Sequence, residues 1–180
     1  PHDPKAMRKQ IEEAREMNLS VCYDIGQQVS NAPAEDIRAG IEAAEMLFLN
    51  DYEFAVLCKR TGLEAHEITA QVPVVITTHG PDGSRIEGRD VEKPIEIGVV
   101  SASEVVDPTG AGDAYRAGLC YGYAHDWSLR EAAQLGATCA SFAIETLGTQ
   151  THTFDRESLA ERYEKTFGAP PPFNHIKENT

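Results

Sequence analysis

Short apolar segments alternate with helical segments along the chain as far as Thr78. Buried strands are predicted at residues 21–23, 46–49 and 74–78. Helices are predicted at residues 4–17, 34–44, 52–61 and 64–71. This alternation is typical of a parallel sheet with helices on both faces. The sequence therefore predicts an α/β fold, a three-layer sandwich around a mostly parallel sheet.

The rest of the chain follows a different pattern. Glycines separate short alternating runs between Gly80 and Val100, which predicts antiparallel hairpin strands. Further helices are predicted at residues 110–124, 128–146 and 155–167. Residues 168–180 contain three consecutive prolines and are predicted to form a loose tail. We therefore expect one domain over residues 1–167, followed by this tail.

Composition excludes several classes of protein. The net charge is −13, which disfavours nucleic acid and anionic membranes as partners. No apolar run approaches the ~20 residues of a membrane-spanning helix, and no signal peptide is recognised. None of the four cysteines lies in a C-x-x-C pair, so reduced thiols in the cytoplasm are expected rather than disulfides or zinc.

Polar residues follow the predicted strands where ligands are expected. In parallel α/β sheets, ligands bind beyond the carboxyl ends of the strands. The residues at these positions are Asp24, Asn50 and 78–80, and the segment 107–113 is a further candidate.

The segment from Asp107 to Tyr115, D-P-T-G-A-G-D-A-Y, carries the strongest chemical signal. Its glycines expose backbone N–H groups at a helix start, which is a favourable place for a phosphate. Asp113 lies in the first turn of that helix. It could act only as a cap or dipole partner, or it could accept a proton from a hydroxyl group as a general base.

This nine-residue segment resembles the C-terminal signature of the PfkB/ribokinase family of carbohydrate and nucleoside kinases, with Tyr115 where Phe is common. Asn50–Glu53 resembles the family's N-x-x-E motif, and Thr78–Gly83 resembles its T-x-G-x-x-G nucleotide loop. Segments 23–28, 49–53, 113–118 and 145–150 are together similar to bacterial adenosine kinases, although Ile25 stands where those relatives carry Pro.

The resemblance implies a ribokinase-like fold and a set of catalytic residues. Asp113 would be the catalytic base. The backbone of Gly110, Ala111 and Gly112 would form the anion hole for the transferred phosphoryl group, a kind of arrangement that supplies much of an enzyme's rate. Arg116 could steer phosphate or pair with Asp113, and a structural salt bridge elsewhere is the alternative.

The resemblance also implies cofactor sites for ATP and Mg²⁺, with K⁺ in some family members. Asn50 and Glu53 would organise Mg²⁺, partly through water, and the phosphate tail. The residues that would contact the nucleotide are Thr78, Gly80, Gly83, Ala137 and Gly148. Asp107 and Thr109 resemble the monovalent-cation loop.

Simpler interpretations exist for some of these positions. Asn50 could be an ordinary helix cap, and residues 80–83 could be a plain β-turn. His79 is interpreted as a packing or rim residue, because the family position is usually apolar.

The implied reaction is ATP-dependent transfer of the γ-phosphate to a nucleoside, with adenosine 5′-OH giving AMP in purine salvage. The alternatives are a PfkB-type sugar kinase and a non-catalytic nucleotide-binding fragment. The chain starts with Pro1, and the family's amino-terminal part, which carries the lid and most acceptor contacts, is not recognised in it. We therefore expect that this chain alone binds nucleotide at best, and that the complete protein could form a homodimer through its lid.

Overall fold

The computed structural model describes residues 4–173. Its helices are α1 (Pro4–Glu16), α2 (Ala34–Ala43), α3 (Asp51–Thr61), α4 (Ala65–Gln71), α5 (Ala111–Ala124), α6 (Leu129–Ala143) and α7 (Arg156–Phe167). Its strands are β1 (Val21–Asp24), β2 (Ala44–Asn50), β3 (Val74–Thr78), β4 (Ser84–Glu87) and β5 (Ile95–Ile97). Short 3₁₀ helices cover Gly26–Ser30 and Gly80–Asp82. Residues 174–180 of the predicted tail lie outside the described residues.

The strands form one sheet in the order β1-β2-β3-β4-β5. β1, β2 and β3 run parallel, and β4 runs antiparallel to β3. The mostly parallel sheet predicted from the sequence is therefore confirmed. One detail of the antiparallel pairing differs from the prediction. The sequence predicts both hairpin strands within the segment from Gly80 to Val100, but β4 of this segment pairs with β3, which precedes it. The chain reverses directly after β3 through Gly80 and Gly83, both at positive φ.

The described residues group into two compact units. The first contains the chain up to Gly80 together with Ser84–Glu96, and the second contains Pro81–Gly83 and the chain from Ile97 onward. Consecutive residues of β2, from Met46 to Leu49, are all buried, which explains why the strand reads as an unbroken apolar run. Around the first unit's core, α1 to α4 contribute buried apolar side chains: Ile11, Ile37, Ile41, Leu57 and Ile68.

The second unit is built on α5 and α6, which pack at very short range. A Cβ atom on Gly118 would lie 2.8 Å from the Cα of Gly136, and one on Gly122 would lie 2.8 Å from the Cα of Ala132. Any side chain at these glycines would need a backbone to move, so the glycines allow the close packing.

Two predicted boundaries are wrong by a few residues. α6 ends at Ala143 instead of Thr146, because the Ile144 carbonyl accepts hydrogen bonds from the amides of Val106 and Asp107. β2 starts at Ala44, where the sequence analysis still placed helix. No helix within residues 4–173 has the length and apolar character needed to cross a membrane.

Candidate active site

The ends of β2 and β3 hold the first group of predicted site residues. Asn50, the last residue of β2, lies directly opposite Thr78, the last residue of β3. Thr78 in turn lies opposite Ser84 in β4. The Thr78 hydroxyl donates to the Leu49 carbonyl at 3.5 Å, which is long for a hydrogen bond. Parallel pairing therefore places the predicted metal and nucleotide segments side by side at one edge of the sheet.

Asn50 and Glu53 form a reciprocal cap at the start of α3. The Asn50 side chain accepts from the Glu53 amide at 2.8 Å, and the Glu53 carboxylate accepts from the Asn50 amide at 2.9 Å. The Glu53 side chain is buried. The helix-cap interpretation of Asn50 thus describes the structure, and the same capping bonds fix both side chains where a metal site was predicted.

The two glycines of the predicted nucleotide turn differ in their surroundings. Gly80 has φ +56°, and a Cβ atom there would meet nothing within 4 Å. Gly83 has φ +94°, and a Cβ atom would lie 2.2 Å from the Ile97 carbonyl oxygen. Gly83 is therefore required for close backbone packing, whereas Gly80 leaves open space beside the chain.

His79 contacts the first residue of α3. Its Nδ1 lies 2.6 Å from Oδ1 of Asp51, a residue 28 positions earlier in the chain. The sequence predicts a packing or rim position for His79 and gives no indication of this contact. Its sequence signal is limited to an acidic first helical residue, Asp51, and a histidine directly after the next strand.

In the second unit, α5 begins at a glycine in the left-handed region. Gly110 has φ +88°, and a Cβ atom there would lie 3.0 Å from the Cα of Thr149. The Ala111 amide donates to the Pro108 carbonyl at 3.2 Å, so this predicted anion-hole donor already has an acceptor. Within residues 4–173, no hydrogen bond involves the amides of Gly112 and Asp113. These two amides are the open donors at the tip of α5.

Asp107 holds this loop in place. Its Oδ1 accepts from the Thr109 amide at 2.9 Å, and its Oδ2 accepts from the Gly148 amide at 3.0 Å. Hydrogen bonds from the hydroxyl and amide of Thr109, and then from Gly148, hold the pKa of the Asp107 carboxyl below its usual range. The anionic side chain therefore joins the loop before α5 to the turn after α6.

Asp113 points into solvent and forms an ion pair with Arg116 one turn along α5. The Asp113 side chain is 73% exposed and that of Arg116 is 31% exposed. Of the three interpretations of Arg116, the structure shows the pairing with Asp113. An exposed pair of this kind contributes little to stability, so a substrate could displace it at small cost.

The remaining predicted nucleotide contacts also lie in the second unit. Ala137 is half-buried on α6, and Gly148, at φ +92°, forms the turn after that helix. Within residues 4–173, no group of three or more His, Cys, Asp or Glu side chains could hold a metal ion. The structure thus brings together Asn50, Glu53, Thr78 and Gly80 in the first unit. In the second unit it joins Asp107, Thr109 and Gly110 to Gly148 and Thr149.

The second unit also contains a charged network that the sequence does not predict. Arg162 of α7 lies 2.9 Å from the Glu145 carboxylate, and Glu145 accepts from the Ser103 amide at 2.6 Å. The Arg162 guanidinium also lies 3.5 Å from the centre of the Phe142 ring. These residues are far apart in sequence and follow no local pattern, so only the fold reveals their contacts.

Comparison with known proteins finds kinases as relatives of this chain. The model of the family described as pfkB family carbohydrate kinase matches residues 1–155. The nucleoside kinase of Methanocaldococcus jannaschii is 36% identical over 163 residues, which are 91% of this chain and 53% of that protein. The nucleoside kinase of Methanothermobacter thermautotrophicus is 32% identical over 171 residues, which are 94% of this chain and 54% of that protein.

A solved structure supports the same relationship. Burkholderia thailandensis nucleoside kinase in complex with inosine superposes with a TM-score of 0.89 at 32% identity, covering 93% of this chain and 55% of that one. The chain therefore spans about half the length of these relatives. The ribokinase-like fold and the kinase family predicted from the motifs are both confirmed. The chain belongs to the pfkB family of carbohydrate kinases.

Proposed function

We propose that this chain is the nucleotide-binding and catalytic part of an ATP-dependent nucleoside kinase. The observation that carries the proposal is the start of α5, where Gly110 at φ +88° precedes the open amides of Gly112 and Asp113. The Asp113 carboxylate lies in the same helical turn. Amides that can donate hydrogen bonds to a phosphate and a carboxylate that can accept a proton thus lie in one helical turn. The chain is 36% identical to a nucleoside kinase.

The proposed reaction is an in-line phosphoryl transfer. The Asp113 carboxylate accepts the proton of the acceptor hydroxyl, and the oxygen of that hydroxyl bonds to the γ-phosphorus of ATP. The bond between the γ-phosphorus and the bridging oxygen breaks, and ADP leaves with that oxygen. The amides of Gly112 and Asp113 would donate to the transferred group, and the positive end of α5 would stabilise its charge. Release of Arg116 from Asp113 would free the carboxylate for the proton.

Mg²⁺ is proposed to bind beside Asn50 and Glu53. The pair offers one buried carboxylate and one amide oxygen, and each already accepts a backbone N–H at the helix cap. This donor set fits an ion that keeps most of its water ligands. When bound, the ion would neutralise charge on the phosphate oxygens of ATP.

K⁺ at Asp107 and Thr109 remains a prediction. Both carboxylate oxygens of Asp107 accept backbone amides, from Thr109 and from Gly148. These bonds give Asp107 a structural function without any cation, so no step of the proposed reaction depends on K⁺.

The acceptor proposed first is adenosine, which gives AMP by reaction at the 5′-hydroxyl. The adenosine kinase-like segments of the sequence support it. Inosine is the second acceptor to test, because the similar Burkholderia protein is a nucleoside kinase with a structure containing inosine. Because the chain spans about half of such relatives, we attribute acceptor binding to the complete protein.

Replacing Asp113 by Asn tests the proposal in the complete protein. The amide cannot accept the proton, so kcat should fall by about 10²–10⁴-fold while ATP affinity stays within about threefold. Asp126→Asn is the matched control, because it makes the same change in an exposed residue just beyond the other end of α5. Full turnover in Asp113→Asn would refute the assignment of Asp113 as the base.

The second candidate is a non-catalytic nucleotide-binding module, and the ion pair in which Arg116 already occupies the Asp113 carboxylate favours it. Under this candidate, the complete protein binds ATP but converts neither adenosine, inosine nor a sugar such as ribose. An assay of ADP formation with each acceptor separates the two candidates. Turnover with ribose alone would instead indicate a sugar kinase.

A further inference from the structure

The contact between His79 and Asp51 joins two segments that carry different predicted functions. Asp51 is the first residue of α3 and directly follows Asn50, whose cap includes Glu53. His79 lies between Thr78, at the end of β3, and Gly80. The Nδ1–Oδ1 distance of 2.6 Å therefore ties the proposed nucleotide turn to the helix start that bears the proposed magnesium residues.

Beyond the pairing of Thr78 with Asn50 and Ser84 in the sheet, side-chain contacts support this turn only weakly. The hydrogen bond from the Thr78 hydroxyl to the Leu49 carbonyl is 3.5 Å long, at the limit of a useful interaction. Gly80 has φ +56° and lies beside open space. Since a glycine without packed neighbours is free to move, the turn depends on the contacts of its adjacent residues.

The chemistry of the pair defines which imidazole atom is used. An ionised carboxylate accepts hydrogen bonds and donates none, so Nδ1 of His79 must carry the hydrogen. The neutral imidazole with hydrogen on Nδ1 keeps this bond, and so does the imidazolium. The contact therefore requires a donor at the Nδ1 position and does not require a charge on the ring.

We propose that His79 and Asp51 are positioning residues that hold the Thr78–Gly80 segment against the first turn of α3. The proposal builds on the proposed function, because the segment that they hold is the proposed nucleotide turn. The Asp51 side chain is 66% exposed and that of His79 is 30% exposed, so the pair contributes the modest energy of a surface contact. Its loss should therefore change affinity or local opening by about two- to fivefold.

Substitution by the two amide side chains gives a sharp test. The Asn amide nitrogen takes nearly the position of the histidine Nδ1, whereas the longer Gln places its amide nitrogen near that of Nε2. We expect His79→Ala and His79→Gln to speed hydrogen exchange of the Thr78 amide, at the paired end of β3, by about two- to fivefold in the 180-residue chain. His79→Asn should restore the slower exchange. His66→Ala, at an exposed histidine of α4, is the matched control.

A double substitution tests the partner. Asp51→Ala should match His79→Ala, and the double variant should exchange no faster than either one. Equal exchange in the Asn and Gln variants, or additive effects in the double variant, would overturn the proposal.

Nucleotide affinity gives an independent measurement. Calorimetric titration with ATP should show about two- to fivefold weaker binding for His79→Ala, and recovery for His79→Asn. If the unaltered chain binds no ATP, the proposed function fails, while the exchange experiment still decides whether the pair holds the turn. If ATP binds but the His79 variants bind it equally well, a positioning function in the nucleotide site is refuted.

Discussion

Gly118 of α5 and Gly136 of α6 bring two helix backbones into contact. A Cβ atom added to Gly118 would lie 2.8 Å from the Cα of Gly136 and 3.0 Å from Sγ of Cys139. Helix α5, whose first amides are proposed to bind phosphate, thus packs directly against α6, which leads to the Gly148 turn. Its position depends on the absence of side chains at this crossing.

We expect Gly118→Ala to destabilise the protein by up to about 2 kcal/mol. The overpacking cost of about 1–3 kcal/mol is reduced by the better helix propensity of alanine, about 1 kcal/mol. Urea unfolding monitored by circular dichroism measures the change. Gly112→Ala in the same helix is the stability control, because its Cβ atom would lie 3.5 Å or more from its neighbours. A Gly118→Ala variant as stable as Gly112→Ala would show that the crossing has room.

The Glu145 carboxylate should make stability depend on pH. Burial raises the pKa of Glu145, but hydrogen bonds from Ser103 and Arg162 outweigh it and hold the pKa below its usual range. Because the pKa of Glu145 is lower in the folded than in the unfolded protein, the ionised carboxylate contributes fully to stability above the unfolded pKa of about 4.3. It is lost as the pH falls through the folded pKa.

Glu145→Gln is therefore expected to cost about 1–3 kcal/mol at pH 7 and progressively less as the pH falls below about 4. Denaturant unfolding at several pH values measures this difference, with Glu104→Gln as a control at an exposed carboxylate. An equal loss of stability at pH 7 and pH 3 would contradict the assignment of the pH effect to Glu145.

Glu53 should affect both the helix cap and metal-dependent binding. Glu53→Gln keeps an oxygen that can accept the Asn50 amide but loses the charge, so α3 should stay capped while ATP affinity in Mg²⁺ falls by about tenfold. Glu53→Ala loses the cap as well and should cost about 1 kcal/mol of stability. Titration with ATP in Mg²⁺ and in EDTA separates these effects. If Glu53→Gln weakens binding equally in EDTA, the metal assignment is wrong.

The four cysteines should differ in reactivity. Burial raises the pKa of the Cys139 thiol to about 11, whereas Cys22 is exposed. Since the thiolate is the reactive form, iodoacetamide at pH 8 should modify Cys22 first and leave Cys139 unmodified in the folded chain. Peptide mass spectrometry measures the order, and unfolding in urea should make all four cysteines react. Early modification of Cys139 in native conditions would show that α6 opens readily.

Much of the fold could be predicted from the sequence because it depends on local patterns. Strands β2 and β3 contain the apolar runs Met46–Leu49 and Val74–Ile76, and Asn50 and Gly62 mark the ends of α3 by their cap preferences. The candidate site residues could be named because their motifs are short and contiguous. These features require no knowledge of residues distant in the chain.

The contacts among these residues could not be predicted in the same way. Asp107 bonds to Gly148, and His79 to Asp51, over 41 and 28 positions of sequence. The Ala111 amide was expected to serve the anion hole, but its turn with Pro108 depends on local backbone angles that the letters of the sequence do not give. The charge of Arg162 likewise gave no sign that it would lie over the Phe142 ring.

The hydrogen bond from Gly148 to Asp107 also has a consequence for biosynthesis. Its acceptor leaves the ribosome 41 residues before its donor, which at about 5–20 residues per second corresponds to at least about 2 s of translation. During that interval, the nascent loop before α5 has no partner for one carboxylate oxygen of Asp107. The start of α5, the proposed phosphate site, can therefore reach its final shape only late in synthesis, after α6 has emerged.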